Sequence, residues 1–169
     1  RIRIMAIRKI LKFPDQDLRT KAENTAVFDD ELKILTDDML ETMYSVNGIG
    51  LAATQIGIHK RVAVIDISPE KNEPLIIINP EVEILDATKK EDYDEGCLSV
   101  PGFFETISRP SEIKLIYKNL EGSQKEIKPE GLLTKVIQHE LDHLNGRLFV
   151  DHISQLKRRR IRNKIVKQK

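Results

Sequence analysis

Residues 139–143 read His139-Glu140-Leu141-Asp142-His143, and no other segment limits so sharply what the chain can fold into. On a helix, residues four apart are stacked neighbours on one face, so the two imidazoles can aim at a single cation while Glu140 lies alongside. Stepping by about 100° per residue puts Leu133, Val136, Ile137, Leu141 and Leu144 on one broad apolar stripe, with Glu140 inside it and both histidines at its edge. The fold must therefore bury this helix while leaving one edge open to a metal. Inside such a stripe Glu140 is poorly solvated. Desolvation raises a carboxyl pKa and a nearby cation lowers it, the opposing influences that a general base requires.

The rest of the chain can supply that enclosure. With 169 residues, it should bury roughly two-thirds of the surface its unfolded form exposes. Its 40% hydrophobic and 33% charged residues exclude the disordered, collagen-like and membrane-spanning classes. The longest apolar runs, such as residues 75–78, fall far short of the roughly 20 residues a membrane helix needs, so no membrane partner is expected. Cys97 is the only cysteine, so no disulfide forms within the chain, and an unpaired thiol suits a reducing cytoplasm. Residues 1–4 precede Met5 and lack the apolar core and cleavage site of a signal peptide, which makes Met5 the expected native start. No repeat, linker or composition break divides residues 1–169, and one catalytic domain is expected.

Asp29 or Asp30 can cap a helix in which Leu32, Leu35, Met39, Leu40 and Met43 recur at three- and four-residue spacing, ending near Asn47 and Gly48. A shorter helix is expected over 15–24. Strand-like runs follow at 61–67, 75–79, 81–85, 103–107 and 113–120, and alternation of Ile113, Leu115 and Tyr117 with Lys114 and Lys118 predicts one buried face. Glu121-Gly122 offers a turn into a polar strand ending near Pro129. Helical spacing then covers 132–145, and an amphipathic, basic helix is expected over 153–169. Helices at both ends with consecutive strands between them predict an α+β fold, with antiparallel or mixed sheets around a central metal-binding helix. The last segment carries Lys157, Arg158, Arg159, Arg160, Arg162, Lys164, Lys167 and Lys169 and no acid. Such a tail can be drawn to nucleic acid or serve only as a solvated helix face.

One helix supplies two ligands, whereas catalytic metal sites usually take three from the protein and leave a position for water. The downstream Glu of thermolysin-like enzymes is missing, since Asp151 is the only acid after His143. The third His of metzincins is missing too, because Phe149 stands at its position. Asp151 and His152 are near in sequence but lack a recognisable spacing. Cys97, in Glu95-Gly96-Cys97-Leu98-Ser99, is the remaining candidate, and one sulfur with two imidazoles suits a tetrahedral site. That ligand set by itself points to zinc.

Three segments, Gly48-Ile49-Gly50-Leu51-Ala52-Ala53-Thr54-Gln55, Glu95-Gly96-Cys97-Leu98-Ser99 and Gln138-His139-Glu140-Leu141-Asp142-His143, resemble in order the three signature motifs of the peptide deformylases. The resemblance implies the fold of that family and a bacterial cytoplasmic enzyme. It implies hydrolysis of the N-formyl group from the formyl-methionine of newly synthesised polypeptides, releasing formate. Cys97, His139 and His143 would hold one divalent metal, with Fe2+ expected and Ni2+ or Zn2+ able to replace it. Metal-bound water would attack the formyl carbon with Glu140 as general base and then acid. Gln55 and the backbone N–H of Leu98 would stabilise the oxyanion, and the Ile49-Gly50 backbone would pair with the substrate. Without the resemblance, Gln55 reads as structural and Gly48 and Gly50 as a helix stop and turn.

Leu132 and Val136, two turns and one turn before Glu140, are positioned either to line a methionine pocket or to pack in the core. Glu95 is expected near substrate or as a partner of other donors, Asp142 as a supporting residue, and His59 and His152 as ordinary satisfied histidines. No arginine occurs within Val100-Pro101-Gly102-Phe103-Phe104, where some deformylases carry one that holds the peptide. Two other classes compete: a general zinc metallopeptidase, supported only by the His-Glu-x-x-His segment, and a ribosome or RNA-binding module, supported only by the tail.

Overall fold

The structure, a computed structural model, describes residues 6–168, so Met5 and Lys169 lie outside it. After a 3-10 turn at Gln16–Arg19 comes helix α1 (Asp30–Ser45), whose first turn is capped by the Asp29 carboxylate accepting from the Leu32 N–H. Strands β1 (Gly50–Ala52), β2 (Val62–Ile65), β3 (Leu75–Ile84), β4 (Lys90–Cys97), β5 (Val100–Pro110), β6 (Ile113–Lys118) and β7 (Gln124–Ile127) follow. Helices α2 (Leu132–Leu144) and α3 (Gln155–Lys167) end the chain, with a 3-10 turn at Phe149–His152 between them.

Five strands form one sheet in the order β1-β2-β3-β6-β7, and β4 and β5 form a separate ribbon. All pairings between these strands are antiparallel, so the sheets are not mixed. The continuous apolar run of β2 shows why the sheet takes helices on both faces. Val62 and Val64 join Leu32, Leu35, Met39 and Met43 of α1, while Ala63 and Ile65 join Val136, Ile137 and Leu144 of α2. Ile161 and Ile165 of α3 close a third cluster around Phe149, Val100 and Ile107.

Several elements differ from expectation. The 15–24 helix shrinks to one 3-10 turn because only Leu18 and Ala22 in that stretch have apolar surface to bury. The two runs at 75–79 and 81–85 are one strand, bulged between Ile78 and Glu81 so that Pro80 is accommodated. Gly50 starts a strand instead of a turn. The face of α2 opposite the apolar stripe is also covered, since β4 and β5 pack there. Lys135 Nζ reaches Glu91 at 2.9 Å, and Gln138 Nε2 donates to the Pro110 carbonyl at 2.9 Å. The helix is therefore buried nearly all round, as its central place requires. None of the helices among the described residues is long and apolar enough to cross a membrane.

Candidate metal centre

Helix α2 carries two imidazoles to the point where ribbon β4–β5 presents its cysteine. Cys97 Sγ lies 3.2 Å from His143 Nε2, which lies 3.2 Å from His139 Nε2, and the three ligand atoms all fall within 4.8 Å of one another. Bonds of about 2.0–2.3 Å to a tetrahedral ion set ligands roughly 3.5 Å apart, so the cluster fits one cation. Among the described residues it is the one group of three or more such side chains close enough to do so. Asp151 and His152 are turned to other partners: Asp151 pairs with Arg19 and Arg158, and His152 Nε2 lies 2.8 Å from Asp142 Oδ2.

The cluster is held from behind. The second nitrogen of His139, Nδ1, sits 2.8 Å from Glu95 Oε1, which leaves Nε2 facing the other ligands. Glu95 is gripped on both oxygens by the Arg109 guanidinium, and Arg109 Nη1 also donates to Asp142 Oδ2 at 3.1 Å. One buried arginine thus ties β5 to β4 and both to α2. The sequence reading missed it, although strand alternation carried a signal: Arg109 shares its face with buried Ile107 and is itself only 4% exposed. Glu95 lines the cleft while its carboxylate is held by Arg109 and His139, and Asp142 braces Arg109 and His152.

Burial alone would raise the Glu95 pKa, but Arg109 and His139 outweigh it and hold the carboxyl at about 2. Because this value lies below that of the unfolded chain, the pair adds stability above about pH 4.5 and loses it as pH falls toward 2. A shift of this size corresponds to roughly 3 kcal/mol. The metal-free protein should therefore show its urea midpoint falling steeply between pH 5 and pH 2.5, and a midpoint flat over that range would disprove this assignment. Burial lowers the His143 pKa and the neighbouring His139 reinforces this, whereas Cys97 and Glu95 overcome burial to raise His139. A cation needs both imidazoles with a free nitrogen lone pair and the sulfur as thiolate, so its binding depends on pH.

Glu140 is 2% exposed and burial pushes its carboxyl up to about 7. Its Oε2 has no hydrogen-bond partner among the described residues, an orphaned acceptor beside the ligand cluster. Gly50 permits this approach: a methyl group there would stand 2.5 Å from Glu140 Oε1 and 3.0 Å from Val136 Cγ1. Gly50→Ala should displace Glu140 and cost about 1–3 kcal/mol of stability through overpacking. A variant with an unshifted denaturation midpoint would contradict that crowding.

Gln55, 1% exposed, is fixed by three contacts. Its Oε1 accepts from the Ala52 N–H at 2.9 Å, while Nε2 donates to Ser99 Oγ at 3.1 Å and approaches Cys97 Sγ at 3.6 Å. The Ser99 N–H also donates to Cys97 Sγ at 3.4 Å, so Ser99 supports the sulfur as well, a role that its place in the motif does not by itself reveal. A cleft of about 860 Å³ opens onto the cluster and is lined by Ile49, Gly50, Gln55, Leu98, Val136 and Glu140, among others. Leu132 is not part of its lining. At the first position of α2 it packs against the core between that helix and the five-stranded sheet.

A metal-ligating helix whose buried carboxylate faces an open apolar cleft defines a mononuclear metallohydrolase type of site. A sequence model of the polypeptide deformylase family matches residues 7–159. The chain is 57% identical to the peptide deformylase of Cellvibrio japonicus, over 97% of this chain and 96% of that one. It is 54% identical to that of Pseudomonas aeruginosa, over 97% of both chains. The crystal structure of a peptide deformylase from Legionella pneumophila superposes with a TM-score of 0.90 at 46% identity, covering 96% of this chain and 95% of that one. The Ehrlichia chaffeensis enzyme in complex with actinonin gives 0.92 at 38% identity, with 98% and 99% covered. The chain belongs to the polypeptide deformylase family.

Proposed function

We propose that the chain is a single catalytic domain that hydrolyses the N-formyl group of formyl-methionine at the start of newly made polypeptides, releasing formate and a free amine. The observation that carries this reading is the convergence of Cys97, His139 and His143 in an apolar cleft beside a buried Glu140 whose Oε2 has no hydrogen-bond partner among the described residues. Cys97, His139 and His143 would hold one divalent ion, which we take to be ferrous iron, replaceable by nickel or zinc. When bound, it supplies Lewis acidity that polarises the formyl oxygen and eases deprotonation of water.

Glu140, kept out of water by burial beside the ligand cluster, takes a proton from the attacking water and passes it to the departing amine nitrogen. The buried Gln55 amide and the Leu98 N–H are the donors assigned to the developing oxyanion. Strand β1 is an edge of its sheet, and the Ile49 carbonyl is taken on the β2 side by the Asp66 N–H at 2.9 Å. Alternation then turns the Gly50 backbone groups toward the open edge, where an extended peptide can pair. Val136 supports an apolar seat for the methionine side chain.

The direct test is formate release from formyl-Met-Ala-Ser by protein loaded anaerobically with iron or reconstituted with nickel. Turnover in protein carrying one metal per chain supports the activity, and none from such protein overturns it. Cleavage of unformylated peptides instead would favour a general metallopeptidase.

The setting we propose is the bacterial cytoplasm, close to the ribosome. Helix α3 buries Ile161 and Ile165 and leaves Arg159, Arg160, Arg162 and Lys167 exposed, a charge arrangement suited to phosphates. Deleting residues 157–169 should abolish cosedimentation with ribosomes at low salt, and unchanged cosedimentation would end that idea.

A further inference from the structure

The edge strand assigned to the substrate is also held from outside the cleft. The Asp66 N–H, which takes the Ile49 carbonyl, belongs to the first residue of the loop 66–74 between β2 and β3. Asp66 is 3% exposed, although residues 67 and 69–74 around it are open to solvent. A buried carboxylate needs partners, and this one is fully supplied. Its Oδ1 accepts from the Ser68 N–H at 2.9 Å and the Ser68 hydroxyl at 2.5 Å. Its Oδ2 accepts from the Tyr44 hydroxyl at 2.5 Å and the Glu73 N–H at 3.3 Å. Burial would raise the Asp66 pKa, but the bonds from Ser68 and Tyr44 outweigh it and hold the group below the usual carboxylate range. Burial and the Asp66 carboxylate push the Tyr44 phenol up to about 12, so it stays protonated and donates. Tyr44 lies in the last turn of α1, and Ile49 directly precedes β1. One side chain thus fastens its own backbone, and through it the segment 46–50, to α1. Lys71 Nζ adds a bond from the same loop to Asn47 Oδ1 at 2.7 Å. On its other side the segment has no slack, since Gly50 stands directly against Glu140 and Val136.

We propose that Asp66 is a positioning residue for the reaction: through its own N–H on the Ile49 carbonyl it fixes where β1 stands, and with that how firmly an extended peptide pairs at the open edge. This rests on the deformylase reading and adds to it a residue that lies outside the lining of the cleft. The ligand cluster is braced separately, by Glu95, Arg109 and Gln55, so a loosened β1 leaves the metal site in place. The demand on residue 66 is for an acceptor on both oxygens. Asparagine fills the same volume, but its NH2 must take the place of Oδ1 or Oδ2. The hydroxyls of Ser68 and Tyr44 can turn and accept from it, whereas the Ser68 and Glu73 N–H groups cannot. One backbone donor is then left facing another N–H, and the loop loses a tie without any cavity being opened.

The metal-loaded protein and its Asp66→Asn and Tyr44→Phe variants would be compared by amide hydrogen exchange and by kinetics on formyl-Met-Ala-Ser. In Asp66→Asn, exchange over 46–52 and 66–74 should quicken by more than about tenfold while α2 keeps its protection, a pattern that general destabilisation would not give. KM should rise by about three- to tenfold with kcat within about twofold of wild type. Tyr44→Phe, which removes a single donor, should raise KM by less. An unchanged KM in folded Asp66→Asn, or a loss carried by kcat alone, overturns the proposal. If Asp66→Asn does not fold, Tyr44→Phe decides: a raised KM sustains the proposal and an unchanged one overturns it. If the wild-type protein does not deformylate the peptide, the activity reading has failed, and calorimetric affinity for the same peptide takes the place of KM. Binding weakened by Asp66→Asn then sustains the role of Asp66, and equal or undetectable binding overturns it.

Discussion

Replacing Glu140 by alanine is expected to lower kcat by about 10²- to 10⁴-fold, the range that general acid–base groups contribute. Metal content should stay at one ion per chain, because the three grouped ligand atoms belong to Cys97, His139 and His143. The change removes a carboxylate oxygen that has no partner among the described residues, so no protein hydrogen bond to Oε2 is broken. Stability should hold or rise slightly, since a buried carboxyl paying for desolvation is gone. Kinetics beside metal analysis and thermal unfolding separate these effects. Full activity in metal-replete Glu140→Ala would remove Glu140 from the chemistry.

Cys97→Ala should act at an earlier point. Loss of an outer partner of a metal ligand commonly weakens binding by about 10- to 100-fold, and loss of a ligand itself should weaken it by more than about 100-fold. Activity should disappear together with the bound metal. The Ser99 N–H would lose its acceptor on the sulfur, while the Gln55 amide would keep Ser99 Oγ. Titration with nickel followed by dialysis and metal analysis measures this, and stoichiometric retention by the variant would show that the sulfur is not a ligand.

What could be read from the sequence was whatever repeats at short range. Helix α2 announced itself through apolar residues at three- and four-residue spacing, and the same pattern with an Asp29 cap marked α1. Strand β4 announced nothing. Its residues Lys90-Glu91-Asp92-Tyr93-Asp94-Glu95 show no apolar alternation, because the strand is mostly exposed and owes its form to pairing with β5. Strand β1 hid behind its glycine for a similar reason: what makes Gly50 part of a strand is its partner Ile65. Pairing across the chain has no local signature. The candidate ligands were legible as residue types, but the support beneath them was not. Arg109 meets Glu95 across 14 residues and Asp142 across 33, distances over which a single sequence gives no sign of contact.

Those separations also govern how the centre comes into being. Cys97 approaches His143 across 46 residues, Gln55 approaches Cys97 across 42, and His139 meets Glu95 across 44. Each closure has an entropic cost before any contact rewards it, and none is completed by α2 alone. A partly folded chain can offer two imidazoles on a helix, but the third donor arrives only with the ribbon. High-affinity metal capture therefore reports on finished tertiary structure, and during refolding it should lag behind the helical circular dichroism signal.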